Sequence, residues 1–333
     1  MRITKIETQV HFPRQDDFTE FSNKSIKGVT VGCSHVFLWD DEGKVFARGE
    51  MNMHGNLGIG HYNRGAPRFV PVEELLDKNV IDVQCGKLHT LFLTDDGRVF
   101  GCGDNRNGQF ALGDMRRSCD ICQIDGSLDN QFITNIYTGS FFSFFQSEYD
   151  DVFACGRNWY GQLGLGDTTD RKFSERVPCL SCVDVKTIVC GTEHCMAITR
   201  DTRDVFAWGN NSSYELGDFR SDRSILIPAK VQWMSKIEIS RIYCGYNRTV
   251  VLEECGLIHS LGDYSKTVQT KMQESTSSEI RRENARILAH FAGAYNRNSV
   301  KCLLSTIDKF RCNGMRWFGQ SYEWSTDLVF VEQ

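Results

Sequence analysis

The 333-residue sequence contains only 5 prolines and lacks any long apolar run. Charged residues interrupt the N-terminus from Arg2 onward, so no segment resembles a signal peptide. No stretch approaches the roughly 18 apolar residues that a membrane-spanning helix needs. We therefore expect an intracellular protein, cytoplasmic or nuclear, without a membrane span. In those compartments thiols stay reduced, so the 14 cysteines are not interpreted as a disulfide framework.

A basic excess is also absent, because the formal net charge is −5. General nucleic-acid binders usually carry such an excess, so nucleic acid is an unexpected partner. The hydrophobic fraction of 41% is enough for a sizeable core and excludes wholesale disorder. The sequence contains no phosphate-binding loop, zinc-protease motif or serine-hydrolase elbow. We therefore predict no catalytic residues for small-molecule chemistry, no cofactor and no bound metal.

What the sequence does contain is an internal repeat. A Val-Phe-x-x-Gly segment, seen at 99–103, occurs in four clear copies and two weaker ones at 258–262 and 310–314, and the closing glycines of the six copies are spaced 52 to 54 residues apart. A second motif precedes it and reads Cys-Gly-x-x-His in its clearest copies, at 85–89 and 190–194. A third motif, Gly-Gln-Leu-Gly, follows the closing glycine and is clearest at 161–164. Six copies at nearly constant spacing indicate six equivalent structural units.

Each unit is predicted to be a four-stranded antiparallel sheet. In the second copy the strands span 80–85, 89–94 and 98–103, with a hairpin turn at Asp95-Asp96-Gly97. The fourth strand is seen in the first copy at 68–72, where prolines are tolerable because the strand is at an edge. A lone sheet cannot bury two apolar faces, whereas radial stacking buries both. The sequence therefore predicts an all-β fold, a single β-propeller.

The number of blades depends on the two ends of the chain. Residues 28–333 divide into six repeats, so six blades are favoured, with seven as the alternative. Residues 1–27 remain as an N-terminal closing segment. We interpret 3–12 as a strand that closes the ring beside a C-terminal strand at 328–331, because pairing the chain ends removes an exposed edge.

The three motifs resemble those of the regulator of chromosome condensation repeat family over residues 28–320. The resemblance implies a propeller, usually of seven blades. It also implies the activities of the founding member, which are guanine-nucleotide exchange on the small GTPase Ran and nucleosome binding. That exchange factor uses a hairpin wedge inserted in one repeat, and the nucleosome-binding member has a basic tail. Here the repeats have no insertion, and residues 1–27 hold five basic and four acidic residues.

We therefore predict an interaction propeller that binds a protein partner through loops at one end. The alternative is a guanine-nucleotide exchange factor for a Ran-like GTPase, and a chromatin-associated regulator is third. Turns after the third strands lie at one end, and aromatic and arginine side chains there are typical interface anchors, whereas Asp and Asn can serve the turns themselves. The predicted partner-binding residues are Asp104, Arg106, Arg157, Trp159, Tyr160, Tyr214, Arg316 and Trp317.

Two further residue sets have metal-ligand chemistry but a plainer interpretation. His35, His89 and His194 share one repeat position, so the ring separates them, and we interpret them as structural groups that bond the neighbouring loop. Two Cys-x-x-Cys pairs, at 119–122 and 179–182, have zinc-ligand spacing. We interpret them as free thiols, with a zinc site as the alternative. Six other cysteines follow the repeat period and are interpreted as small buried hydrophobic groups.

Overall fold

The computed structural model describes residues 21, 25–62, 64–125, 128, 130–217, 223–255, 257–262 and 268–271. In this part of the chain, twenty strands form five four-stranded antiparallel sheets, each ordered from its first to its fourth strand. Blade 1 contains β1 (Ile26–Val31), β2 (His35–Asp40), β3 (Val45–Gly49) and β4 (Ala66–Pro71). Blade 2 contains β5 (Val80–Cys85), β6 (His89–Thr94), β7 (Val99–Gly103) and β8 (Ser118–Gln123). Blade 3 contains β9 (Ile133–Thr138), β10 (Phe142–Ser147), β11 (Val152–Gly156) and β12 (Arg171–Arg176). Blade 4 contains β13 (Val185–Cys190), β14 (His194–Thr199), β15 (Val205–Asn210) and β16 (Ser224–Lys230). Blade 5 contains β17 (Ile239–Cys244), β18 (Arg248–Glu253), β19 (Leu257–Gly262) and β20 (Val268–Lys271).

Two single turns of 3-10 helix, Glu73–Leu75 and Met234–Lys236, lie in connections between blades. Across the described ranges, no helix is long and apolar enough to cross a membrane.

The predicted all-β propeller with four-stranded antiparallel blades is confirmed, and the first strands of successive blades contact one another. Strands β5 and β6 match the predicted ranges at both ends, and β7 begins one residue later than predicted. The described part of the chain holds five blades. The sixth repeat lies outside it, together with the predicted closing strands at 3–12 and 328–331. The predicted boundary between residues 1–27 and 28–333 stays a prediction.

The hydrophobic clusters lie between neighbouring blades rather than within one blade. Phe37 of blade 1 meets Phe92 of blade 2 edge to face, with ring centres 5.3 Å apart. Phe144 of blade 3 meets Trp208 of blade 4 in the same way at 5.9 Å. Every residue of β2, β6 and β10 is buried, so these central strands bury both faces. Each such aromatic side chain contributes about 1.5–3 kcal/mol, which a blade obtains only from its neighbour.

A histidine at the start of the second strand links three of the blades to the next blade. Each imidazole Nε2 meets a hydroxyl on the second strand of the following blade, and the pairs are His35–Thr90 at 3.1 Å, His89–Ser143 at 3.1 Å and His194–Thr249 at 2.9 Å. The prediction of structural histidines is confirmed. The predicted loop partner was wrong, because the fully buried ring reaches across the interface to a strand.

The hydrogen-bond pattern determines the tautomer of His35. The Thr90 hydroxyl donates to the Asn56 carbonyl at 2.9 Å, so it accepts from His35, whose proton is on Nε2. The Nδ1 atoms of all three histidines are buried and meet no partner among the described residues. Burial lowers the pKa of His35 to about 3 and the pKa values of His89 and His194 to about 4. The three rings are therefore neutral near pH 7.

The glycine three residues before each histidine is required by the ring itself. A Cβ at Gly86 would lie 2.1 Å from Cε1 of His89, a distance that a real side chain could not occupy. Blade 3 has Phe142 in place of histidine, and a Cβ at Gly139 would lie 2.0 Å from its Cζ. The Gly-x-x-His motif is therefore explained by a flat ring that packs against the backbone of a residue without a side chain.

We predict that the free energy of unfolding decreases as the pH is lowered from 6.5 towards 4. The three histidines take up protons near pH 6.5 in the unfolded chain but only near pH 3 to 4 in the folded protein, so acid favours unfolding. Urea denaturation at pH 7, 6 and 5 measures this dependence. His194→Phe copies the residue of blade 3 and removes one proton-binding group. An unchanged pH dependence in this variant would contradict the assignment.

Candidate protein-interaction site

Two sets of connections meet at one end of the propeller, which we call the loop end. It carries the short turns between first and second strands, such as 86–88, and the long loops between third and fourth strands, such as 104–117 and 157–170. Because consecutive strands are antiparallel, these connections share one end. The hairpins between second and third strands, and the connections between blades, lie at the opposite end.

A buried asparagine holds the long loops in shape. Asn105 accepts a hydrogen bond from the Phe110 amide at 2.9 Å and donates one to the Asp114 carbonyl at 3.1 Å. Asn158 makes the same two bonds in blade 3, five and nine residues ahead, at 2.9 and 3.0 Å. These bonds confirm the expectation that asparagine at these turns serves the turn itself. The loops therefore present their other side chains from a defined backbone.

The long loops also rest on the following blade. The Gln162 side chain accepts from the Tyr160 amide at 2.9 Å, and its backbone carbonyl accepts from Nε1 of Trp208 in blade 4 at 2.8 Å. In blade 2 the Gln109 carbonyl accepts from the Cys155 thiol of blade 3 at 3.2 Å. The glutamine of the Gly-Gln-Leu-Gly motif thus shapes its own loop and docks it on the next blade.

Repeat four has a glutamate at this glutamine position. Glu215 is fully buried, and one carboxylate oxygen accepts from the Ser213 amide at 2.7 Å. The other oxygen has no hydrogen-bond partner among the described residues. Burial raises the pKa of Glu215 to about 6. A largely ionised carboxylate is therefore enclosed at neutral pH with half of its hydrogen-bonding capacity unused.

Two of the predicted partner-binding residues form a pair in blade 2. Asp104 is fully buried and accepts from Nε and Nη2 of Arg106 at 2.8 and 2.7 Å. Burial opposes its ionisation, but the hydrogen bonds from Arg106 outweigh burial and lower the pKa of Asp104. The Arg106 side chain stays 52% exposed. Asp104 can therefore act on a partner only by positioning Arg106.

Three predicted residues lie together on the long loop of blade 3. The guanidinium carbon of Arg157 lies 3.5 Å from the centre of the Trp159 ring, which is a stacking distance. Trp159 is 59% exposed, and Tyr160 is half-buried. This loop therefore brings a cation and an exposed indole into contact at the loop end.

The remaining predicted residues belong to later repeats. Tyr214 lies on the long loop of blade 4, is 40% exposed and has a φ of 64°, which is the left-handed region. Arg316 and Trp317 lie outside the described residues. Within those residues, the loop end therefore presents predicted side chains on blades 2, 3 and 4.

Sequence reasoning missed the short turns between first and second strands. Lys87 of blade 2 and Phe141 of blade 3 lie there, with Nζ 5.2 Å from the centre of the phenyl ring. Arg157 reaches the same ring, with its Cζ at 5.6 Å. Tyr246 is exposed on the corresponding turn of blade 5. The strand order contained the necessary signal, because it places these turns at the same end as the long loops.

The cysteines differ in exposure. Cys122 on β8 is half-buried, and Cys179 and Cys182 are exposed between β12 and β13, all as free thiols. No group of three or more metal-ligating side chains is found in the part of the chain that the structure describes. Among the repeat-period cysteines, Cys85, Cys102 and Cys155 are buried, and burial raises the pKa of Cys85 to about 12. These three behave as the predicted small hydrophobic groups, whereas Cys190 and Cys244 are only half-buried, and Cys312 lies outside the described residues.

Comparison with known proteins identifies the family. Residues 3–296 match the family model described as the RCC1-like domain. The chain belongs to the RCC1-like domain family. This confirms the resemblance inferred from the three repeat motifs. The match also spans residues that lie before and after the five described blades.

Two curated relatives show how the domain is used in other proteins. The chain is 28% identical to the ultraviolet-B receptor UVR8 of Arabidopsis thaliana over 255 residues, covering 75% of this chain and 56% of UVR8. It is 30% identical over 230 residues to the human E3 ubiquitin-protein ligase HERC2, covering 68% of this chain and 5% of HERC2. The chain therefore spans about half of the length of UVR8 and a small fraction of the length of HERC2.

Solved structures agree on the fold. Prp20p of Saccharomyces cerevisiae superposes with a TM-score of 0.65 at 18% identity, covering 80% of this chain and 67% of Prp20p. Human WBSCR16 gives a TM-score of 0.62 at 22% identity, covering 72% of this chain and 62% of that one. At these identities the likeness establishes the fold alone.

We predict that Glu215→Gln stabilises the protein at pH 7 by about 1 to 2 kcal/mol, because it removes the cost of ionising a buried carboxylate. The gain is expected to shrink as the pH falls from 7 to 5, since folded Glu215 protonates at a higher pH than the unfolded chain. Denaturant titration at both pH values measures the difference. The reciprocal change, Gln162→Glu, should destabilise blade 3 at pH 7. A neutral or destabilising Glu215→Gln at pH 7 would contradict this account.

Proposed function

We propose that this propeller is a binding module that holds a protein partner at its loop end. The observation that carries the proposal is the contact between Arg157 and the exposed Trp159 ring at 3.5 Å, on a loop anchored by buried Asn158. Exposed tryptophan and arginine side chains are the most frequent anchors of protein interfaces. An anchored loop loses little conformational entropy on binding, so more of the contact energy becomes affinity.

Exposed apolar side chains on several blades extend the same end. Met51 and Met53 on blade 1 and Tyr246 on blade 5 are each more than half exposed. Methionine side chains adapt to different partner shapes, which suits a binding surface. The opposite end exposes Tyr149 and Phe132 on blade 3, and it therefore provides the comparison for the experiment.

Guanine-nucleotide exchange on a Ran-like GTPase is the second candidate. It is supported by the likeness in fold to Prp20p, whose structure was determined together with its binding to Gsp1p and histones. Within the described residues, blades 1–5 contain four strands each and no added hairpin. The hairpin wedge of the exchange factor therefore has no counterpart in these blades.

Histone binding remains the third candidate, because the net charge of −5 does not favour it. The ligase activity in the name of HERC2 is not proposed, because the match covers 5% of that protein.

We predict that Trp159→Ala lowers the recovery of bound partner protein at least about fivefold, because an exposed aromatic anchor is lost from the interface. Quantitative mass spectrometry of material captured on the immobilised propeller measures this loss. Tyr149→Ala, at the opposite end and 78% exposed, is the matched control and should leave recovery unchanged. Loss with Tyr149→Ala and retention with Trp159→Ala would place the partner at the other end.

The same proteins test the second candidate directly. Release of a fluorescent guanine nucleotide from a Ran-like GTPase is followed with the propeller at one tenth of the GTPase concentration. The binding-module proposal expects the spontaneous rate. Catalysed release at this ratio would establish exchange activity and overturn the order of the two candidates.

A further inference from the structure

We propose that the loop end recognises an acidic peptide segment of its partner at one cation–aromatic stack on blades 2 and 3. The stack consists of Lys87, Phe141, Arg157 and Trp159. This inference rests on the proposed binding function and adds the location of the site and the chemistry of the ligand. The ligand we infer carries an Asp or Glu beside an apolar side chain.

The four side chains form a continuous series of contacts. The Lys87 ammonium lies 5.2 Å from the centre of the Phe141 ring, and the Arg157 guanidinium lies 5.6 Å from it. The other contact of Arg157, with Trp159, measures 3.5 Å. Two cations therefore share one phenyl ring, and the second of them also covers an indole. Contacts of this kind hold a cation in place without neutralising its charge.

The backbone beneath the stack is held from both sides. The Lys87 amide of blade 2 donates to the Ser140 carbonyl at 3.1 Å, and the Arg157 amide donates to the Phe141 carbonyl at 2.9 Å. The turn that carries Phe141 is therefore tied to the preceding blade and to the long loop of its own blade. A site built on such a fixed frame is pre-organised for its ligand.

Unlike Arg106 and Arg171, the two cations have no carboxylate partner within ion-pair distance among the described residues. Arg106 pairs with Asp104 at 2.7 Å, and Arg171 pairs with Asp167 at 2.7 Å. Arg157 forms no such pair there, and its Nε is buried without a hydrogen-bond partner. The stack thus carries two positive charges that no described carboxylate pairs with directly.

The other blades show that this charge is specific to its location. The residues that correspond to Phe141 and Arg157 are Leu88 and Asp104 in blade 2, where Asp104 is engaged by Arg106. In blade 4 they are Glu193 and Asn210, which bond each other at 3.1 Å. Among blades 2, 3 and 4, the same backbone frame therefore carries a cationic aromatic site only at blade 3. The fold of the repeat does not require the stack, because blades 2 and 4 form the same structure with other residues at the equivalent positions.

The ligand chemistry follows from the groups that remain free. A guanidinium stacked by its face keeps N–H donors at its edge, and these match the two oxygens of a carboxylate. Lys87 adds a second positive charge next to the same ring, and the exposed part of Trp159 offers apolar area beside it. A carboxylate on Arg157, with a neighbouring leucine or aromatic side chain on Trp159, satisfies both features.

The experiment is a selection of random 12-residue peptides on the folded full chain, followed by anisotropy measurements with fluorescein-labelled selected peptides. The proposal expects enrichment of Asp or Glu next to apolar residues. It also expects Arg157→Glu to weaken binding by about tenfold or more, as loss of an interface anchor does. The double variant Lys87→Glu with Arg157→Glu should select basic peptides instead. Affinity for the acidic peptides should fall as salt is raised, because the cations are partly exposed.

The control is Lys236→Glu, an exposed lysine in the connection at the opposite end, which should bind the acidic peptides as the wild type does. Thermal midpoints show whether each variant is folded. Arg157→Lys keeps the positive charge and should therefore retain more binding than Arg157→Glu. Retained binding in folded Arg157→Glu overturns the inference.

The remaining outcomes separate this inference from the proposed function. Selected peptides that lose binding with Trp159→Ala but lack acidic residues overturn the acidic ligand and leave the binding module in place. An absence of any peptide whose binding depends on the loop end contradicts both. Equal or tighter binding of a phosphopeptide or of single-stranded DNA through the same residues overturns the assignment to an acidic peptide.

Discussion

The structure depends on the apolar interface between neighbouring blades. A single four-stranded sheet has two apolar faces, and β6 and β10 are buried along their whole length because a further sheet covers each side of blades 2 and 3. The edge-to-face contacts of Phe37 with Phe92 and of Phe144 with Trp208 lie in these interfaces. No blade can therefore be stable by itself, and the repeat period in the sequence is the period of this mutual burial.

Polar contacts across the same interfaces determine how the blades are aligned. A neutral histidine bonds a hydroxyl of the following blade. The loop carbonyls of Asn56 and Gln162 also accept hydrogen bonds from the following blade, from Thr90 and Trp208 respectively. Buried hydrogen bonds contribute only about 1 kcal/mol each, but leaving one partner unpaired costs more, so they favour one alignment over others. The loop end is built on these contacts. The long loops of blades 1, 2 and 3 have defined positions because each accepts a hydrogen bond from the blade after it.

The candidate site could be located from the sequence only in part. The motif spacing placed Arg157 and Trp159 on a loop at one end of the propeller, and the structure brings these two side chains into contact. The sequence also placed Asp104 at this end, but it could not show that Asp104 is buried beneath Arg106. Lys87 was missed because it lies 54 residues before Phe141 in the chain. Their contact exists only when two blades are packed together.

The sequence by itself determined the architecture, because a β-sheet repeat is a local pattern. Alternating apolar residues, turn residues and glycines under flat rings recur in each copy, and they specify strands and their order without knowledge of distant contacts. The tertiary structure alone decided which side chains are free to meet a partner. Arg106 is neutralised by Asp104 of its own loop, whereas Arg157 keeps its charge against the rings of Phe141 and Trp159, and the sequence alone does not distinguish these two outcomes. The contact of Lys87 with Phe141 joins two repeats, so it cannot be read from either repeat alone.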